Sequence, residues 1–227
     1  MPLLRRKSHP FELRVENMTL RVAAPQEYHE ESRAAALSFW EQVQSYSRRH
    51  PEFRSSKLPL RLTSDAPEAI REILRAAGAA GVGPAFAVQG AMTDHVGRFL
   101  STILPEVTIA NGGVHFIRSG RRTKFAVFRD GEGGELKVTV DPRAGTEGLA
   151  TTLGRAHLPA RTVDGLGVLA TSCMLADAAA AGVMAILAKP EAFKPALDYL
   201  REIDGVQGGV VVQGERIGVV GRVEFAA

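Results

Sequence analysis

Cysteine occurs once in the 227 residues, at Cys173. No disulfide can form within the chain, and thiolate-rich metal or cluster chemistry is excluded with it. Charge of one sign is also scarce. The formal net charge is +3, and the basic residues are spread along the chain, so nothing in the charge demands a nucleic-acid partner. Two local basic clusters, Arg5-Arg6-Lys7 and the run from Arg118 to Lys124, read as a solvated tail and loop or as anion sites. Long hydrophobic runs are missing too. Ser8, His9 and Pro10 follow the basic start where a signal peptide needs an apolar stretch. The longest apolar tract, Met174 to Ala188, is interrupted by Asp177 and is too short and alanine-rich to span a bilayer. A cytoplasmic chain with no membrane partner is the expectation.

Hydrophobic residues make up 45% and charged residues 23% of the sequence, enough to bury a sizeable core beneath an ordinary globular surface. Residues 11 to 22 alternate through Phe11, Leu13, Val15 and then Met18, Leu20, Val22, which predicts a hairpin turning near Asn17. From Gln26 to Arg49, Leu37, Trp40, Val43 and Tyr46 form one stripe at helical period, bounded by Pro25 and Pro51. Ser64 or Asp65 can cap a helix through Ile70, Ile73 and Leu74 that ends near Gly78 to Gly83. A further helix covers 87 to 104, and strands follow at Val107–Ala110, Val114–Ile117, Phe125–Phe128 and Leu136–Val140. Thr171 or Ser172 can cap a helix to about Ala188, and Pro190 precedes another through Phe193, Leu197 and Leu200. A hairpin of Val210–Val212 and Ile217–Val220 closes the chain, with Val223 and Phe225 extending its last strand. The pattern predicts an α/β (α+β) fold, a mixed sheet with packed helices, in one domain over 1–227 whose two lobes share the sheet. Disorder is expected only at the ends, including residues 1–10.

Three segments carry candidate chemistry. The turn Asn111-Gly112-Gly113 ends a strand, and its glycines permit positive φ and close approach of backbone to a ligand, although Asn-Gly is equally a common hairpin turn. The run Gly81 to Gly90, containing Gly83 and Gln89, leads into a helix whose free N–H groups suit a phosphate, yet it has no P-loop lysine and is not GxGxxG. Asp177 lies within a helix of small apolar residues, where a bare carboxylate is prohibitive unless paired, hydrated or metal-bound. His115 on a strand and His157 in a loop are the candidate catalytic groups, and His95 on a helix reads as structural. No Gly-x-Ser-x-Gly elbow is present to support a serine nucleophile.

These segments resemble the ApbE flavin transferases. Gln89-Gly90 with Asp94, followed by Asn111-Gly112-Gly113, is similar to the stretch in which a Lys-Gly and an Asp open a helix leading to a strand ending in Gly-Gly-Asp. Ala176-Asp177-Ala178 is similar to the family's Ala-Asp-Ala-x-Ala-Thr, whose Asp and Thr help to hold Mg²⁺. A smaller, uncharacterised ApbE-related family is matched more fully, through Arg49-His50-Pro51-Glu52-Phe53, Ala66-Pro67, Gly81-Val82-Gly83-Pro84, Asn111-Gly112-Gly113 and Ala176-Asp177-Ala178-Ala179-Ala180. The departures are specific. Gln89 stands for the lysine, Val114 for the aspartate after Gly-Gly, and Ala181 for the threonine that would share a helix face with Asp177.

The resemblance implies an ApbE-like fold and a pocket for an anionic metabolite, nucleotide or flavin. Gly83, Gln89, Gly90, Asp94, Asn111, Gly112, Gly113 and Asp177 are its expected lining, and Asp177 is the metal ligand if Mg²⁺ binds. Whether the chain is an enzyme stays open at this point. Mg²⁺-dependent FMN transfer with rearranged ligands is one alternative, and a non-catalytic accessory protein, or a homodimer packed through the small-residue helix, is another.

Overall fold

The computed structural model describes residues 9–24, 28–129, 134–141, 148–153 and 163–226. Strands β1 (His9–Val15) and β2 (Met18–Ala24) form the opening hairpin, with the left-handed turn residue at Glu16 (φ 54°). Helix α1 runs over His29–Arg49, and α2 over Glu52–Ser55. The strand beginning at His9 already includes two of the ten N-terminal residues, and residues 1–8 lie outside the described residues.

Helix α3 spans Glu68–Ala79 and starts at Pro67 with no side-chain cap. Neither Ser64 nor Asp65 caps it, because a residue preceding proline is pushed out of the helical region and Ala66 precedes Pro67. Asp65 instead accepts from Arg49 (2.5 Å) and His50 (3.0 Å). A 3₁₀ turn, Pro84–Ala87, leads into α4, Val88–Ser101. Strands β3 (Val107–Asn111), β4 (Val114–Arg118), β5 (Thr123–Arg129) and β6 (Glu135–Val140) follow. Then come β7 (Gly148–Thr151), β8 (Gly165–Ala170), α5 (Cys173–Leu187), α6 (Phe193–Glu202), β9 (Val206–Gln213), β10 (Arg216–Gly221) and β11 (Glu224–Phe225).

Eight strands pair in the order β1-β2-β3-β4-β7-β8-β9-β10, and β11-β6-β5 form a second sheet. Every pairing among the described strands is antiparallel, which corrects the expected mixed sheet and puts the fold on the α+β side. The tight turns of β1–β2, β3–β4 and β9–β10 permit only antiparallel pairing, and the longer connections from β2 to β3, β4 to β7 and β8 to β9 also return the chain in the opposite direction. Val223 and Phe225 do not prolong β10. A left-handed Gly221 (φ 62°) turns the chain away, and Phe225 pairs with Val138 in the smaller sheet.

The helices cover one face of the large sheet, and the small sheet covers part of the other. Alternation along β4 shows the division: Val114 and Phe116 belong to the core under the helices, whereas Ile117 packs with Val140, Leu149 and Leu169 beneath the small sheet. Val210 and Val212 of β9 meet Val127 and Val138 in the same way. Fully buried Phe39, Phe53, Phe116, Ile70, Ile73 and Leu100 anchor the helical layer, each such side chain contributing roughly 1.5–3 kcal/mol by leaving water.

Candidate ligand-binding site

Helices α4 and α5 cross over the sheet, and their crossing is made by two carboxylates pointing in opposite senses. Ser172 caps α5, its hydroxyl accepting from Leu175 N–H at 3.2 Å. Asp94 of α4 completes that terminus by accepting from the N–H groups of Cys173 and Met174, both at 2.9 Å. A carboxylate there satisfies donors that the helix itself cannot, and it lies at the positive end of the macrodipole. Asp177 of α5 returns the contact, accepting from Gly90 N–H at 2.9 Å. The crossing is tight because Gly90 has no side chain: a Cβ there would lie 2.4 Å from the Cys173 carbonyl oxygen.

Both carboxylates are removed from solvent, Asp94 at 1% and Asp177 at 2% exposure. Burial raises the Asp94 pKa to about 6, with the two N–H bonds from Met174 and Cys173 pulling against it. Cys173 is fully buried, and burial followed by the Asp94 charge pushes its thiol well above the ordinary range. The thiol donates to the His115 carbonyl at 3.3 Å. It is a packing group with no thiolate to offer.

A different arrangement holds the Asn111 turn. Gln89 donates its side-chain amide to the Asn111 carbonyl (2.6 Å), and the Asn111 amide donates to the Gln89 carbonyl (3.3 Å) and to the Thr93 hydroxyl (3.1 Å). Thr93 in turn donates to the Gln89 carbonyl at 2.7 Å. Gly112 takes φ 56°, the conformation the turn needs, and the Gly113 carbonyl accepts from Thr151 N–H at 2.7 Å. Gly83 sits where the chain passes Ser56, whose carbonyl oxygen would be 1.9 Å from an added Cβ.

Gln89 also lines a cavity of about 280 Å³ with Trp40, Phe53, Arg54, Ala85 and Met18. The Arg54 guanidinium stands 5.7 Å from the centroid of the indole, the geometry of a cation on an aromatic face. Trp40 is fixed by donating to Glu16 at 3.2 Å, so the β1–β2 turn and α1 are held together at the cavity wall. Neither Trp40 nor Arg54 stands out as a site residue in the sequence, where Trp40 reads as one member of a core stripe. Their only signal is that an aromatic and an arginine fall on elements the fold brings beside Gln89.

Seven of the eight expected lining residues fall into two groups, and Gly83 stands apart against the Ser56 backbone. Gln89, Asn111, Gly112 and Gly113 meet at one turn, whereas Gly90, Asp94 and Asp177 form the helix crossing. Asp177 accepts the Gly90 N–H where α5 lies across α4, and Gln89 is the α4 residue that reaches the Asn111 turn. His115 is half-buried on the β4 face turned toward the small sheet, with its ring 5.1 Å from Phe125, away from the carboxylates on the helical face. His157 lies outside the described residues.

With this geometry in hand, comparison with known proteins gives a consistent result. The family model described as AbpE bacteria matches residues 2–202. The UPF0280 protein of Methanopyrus kandleri is 28% identical over 216 residues, covering 91% of this chain and 87% of that protein. The UPF0280 protein of Methanococcoides burtonii is 26% identical, covering 96% and 93%. Among solved structures, the flavin transferase ApbE from Vibrio cholerae superposes with a TM-score of 0.60 at 13% identity, covering 94% of this chain and 97% of that one. The apo flavinyl transferase ApbE of Pseudomonas stutzeri gives 0.60 at 14%, covering 97% and 96%. At such identities these structures speak to the fold.

Proposed function

The chain belongs to the AbpE bacteria family, whose fold is that of the flavin transferases, and from that membership we propose that it binds a nucleotide, flavin or similar anionic metabolite beside Gln89, with the metal-dependent transfer site degenerate. The observation that carries this reading is the position of Gln89. It stands where the resemblance expects a lysine, ties the Asn111 turn to α4, and faces a cavity containing a flat indole and a guanidinium. Trp40 offers a planar ring a stacking surface, and Arg54 offers an anionic group a charge-assisted partner. At about 280 Å³ the cavity suits one end of a nucleotide, its ring or its phosphate, and not a whole dinucleotide.

Mg²⁺ is not supported by the donors at the crossing. Asp177 accepts the Gly90 N–H, Ala181 one turn later brings no oxygen, and Val114 brings none beyond Gly113. Among the described residues no group of three or more His, Cys, Asp or Glu side chains is assembled for a metal. Phosphoanhydride cleavage needs a cation where charge develops, and the carboxylates that could hold one are engaged by backbone, both Asp94 oxygens by Cys173 and Met174 N–H and Asp177 by Gly90 N–H. The partner required by this reading is a small molecule, not nucleic acid or a membrane surface. No helix among the described residues is long and apolar enough to cross a bilayer.

A thermal-shift titration with FMN, FAD and AMP, with and without Mg²⁺, tests the reading. A ligand at a hundred times its Kd should add roughly 2.7 kcal/mol of stability, independently of Mg²⁺, and Arg54→Gln should weaken it about tenfold. Two results would overturn the proposal: the absence of any shift with all three compounds, or covalent flavin labelling of an acceptor peptide above a no-protein control when FAD and Mg²⁺ are supplied.

A further inference from the structure

Helices α1, α3, α4 and α5 leave a second cavity of about 300 Å³ between them, sharing no lining residue with the one beside Gln89. The rings of Phe39 and Phe99, the Met174 side chain, Ala69 and Ala91 make its apolar walls, and Glu72, His95, Arg98 and Thr102 complete the lining. The His95 ring lies 5.2 Å from the Phe39 ring, tilted by 35°, and its nitrogens have no hydrogen-bond partner among the described residues. Burial lowers its pKa from the ordinary value, so at neutral pH the imidazole is uncharged and presents one donor and one acceptor.

The other three polar lining residues are already matched within the protein. Arg98 donates to both carboxylate oxygens of Glu72, at 3.1 and 3.0 Å, and the Thr102 hydroxyl donates to the Phe99 carbonyl at 2.7 Å. A ligand entering here meets aromatic faces, a thioether and a neutral imidazole, with no unmatched charge to attract an ion. Such a lining of apolar surface with few convergent polar groups is characteristic of small-molecule sites, and the thioether and rings favour an aromatic guest.

We propose that this cavity is a second binding site, taking a neutral, planar aromatic molecule with a single hydrogen-bonding edge that meets the His95 imidazole. It goes beyond the reading for Gln89 and does not depend on it. Met174 connects the site to the helix crossing, since its side chain lines the cavity while its N–H donates to Asp94.

The test is NMR titration of the intact chain, isotope-labelled at histidine, with indole and phenol as neutral probes and benzoate as the charged one. Saturable shifts of the His95 ring signals with indole or phenol, at least tenfold weaker with benzoate, are expected. Ala69→Phe, which extends a half-buried α3 residue into the cavity, should abolish the shifts, and Ala69→Leu provides a smaller plug if the first variant fails to fold. His95→Phe keeps the ring against Phe39 while deleting the hydrogen bond, and should weaken indole, followed through its own signals, about tenfold. Absence of saturable binding overturns the proposal. So does binding that survives a folded plug variant unchanged, or benzoate binding as tightly as indole. Competition with FMN should leave indole binding unaltered, so that failure at either cavity is read separately.

Discussion

Within six positions on α4, Gln89 and Asp94 illustrate two ways of using a polar side chain next to the same sheet. Asp94 is shut between helices and fully engaged by the N–H groups of Cys173 and Met174. Gln89 is half-buried, bonded on one side to Asn111 and open on the other to a cavity. Asp177 belongs with Asp94, although its sequence surroundings mark it most strongly as functional. A carboxylate in an alanine-rich helix must have a partner, but a main-chain N–H on a crossing helix satisfies that demand as well as a metal does. The difference teaches that position in a resembling motif and availability to a ligand are separate properties.

The comparison breaks most severely at Gly90. In Gly90→Ala the new Cβ would lie 2.4 Å from the Cys173 carbonyl and 2.6 Å from Met174 Cα, all backbone, so α4 and α5 must separate and the Asp177 bond is lost. Destabilisation of about 3 kcal/mol or more is expected, since tightly packed backbone yields poorly. Urea unfolding measures it, and a change below about 1 kcal/mol would show that the crossing is looser than these distances require.

Asp94 tests the sealed half through pH. Its folded pKa of about 6 lies above the unfolded value, so the folded chain binds the proton more tightly. The stability this confers is fully present below about pH 3.9 and is lost as pH rises through about 6. The loss over that window is of the order of 2–3 kcal/mol. Asp94→Asn cannot titrate, so its unfolding free energy should lack that decline. It should also be lowered at pH 7 by about 1–2 kcal/mol, because the amide nitrogen cannot accept from the second N–H. Parallel pH profiles for the two proteins would remove Asp94 as the source.

Much of the fold is legible in the sequence where one face of an element is wet. Leu13, Val15, Leu20 and Val22 alternate with exposed neighbours, and their hairpin is readable. Gly165–Ala170 is buried at every position, with helices on one side and the small sheet on the other. That strand shows no period of two to read. The β11 pairing is equally hidden, because Phe225 alone does not reveal which strand it joins. At the site, the glycine and asparagine turn is visible from residue chemistry, and Asp177 is visible from the cost of burying it. The Gly90–Asp177 bond joins residues 87 positions apart, and the Arg54–Trp40 pairing depends on how α2 folds back on α1. Neither follows from spacing within one element.

The mildest change, Asp177→Asn, sharpens the comparison most finely. Asparagine has nearly the shape of aspartate, and its carbonyl oxygen can go on accepting the Gly90 N–H, so the crossing keeps its hydrogen bond and loses a charge. A charge-assisted bond becomes a neutral one, which should lower stability by about 1 kcal/mol. The cavity beside Gln89 does not include residue 177, so FMN or AMP affinity should stay within about twofold, whereas Arg54→Gln should lose about tenfold with stability nearly unchanged. Thermal shift on both variants, with and without nucleotide, separates the two effects. If Asp177→Asn loses the ligand while keeping its stability, the carboxylate itself holds the ligand, and the division between a sealed crossing and an open turn is wrong.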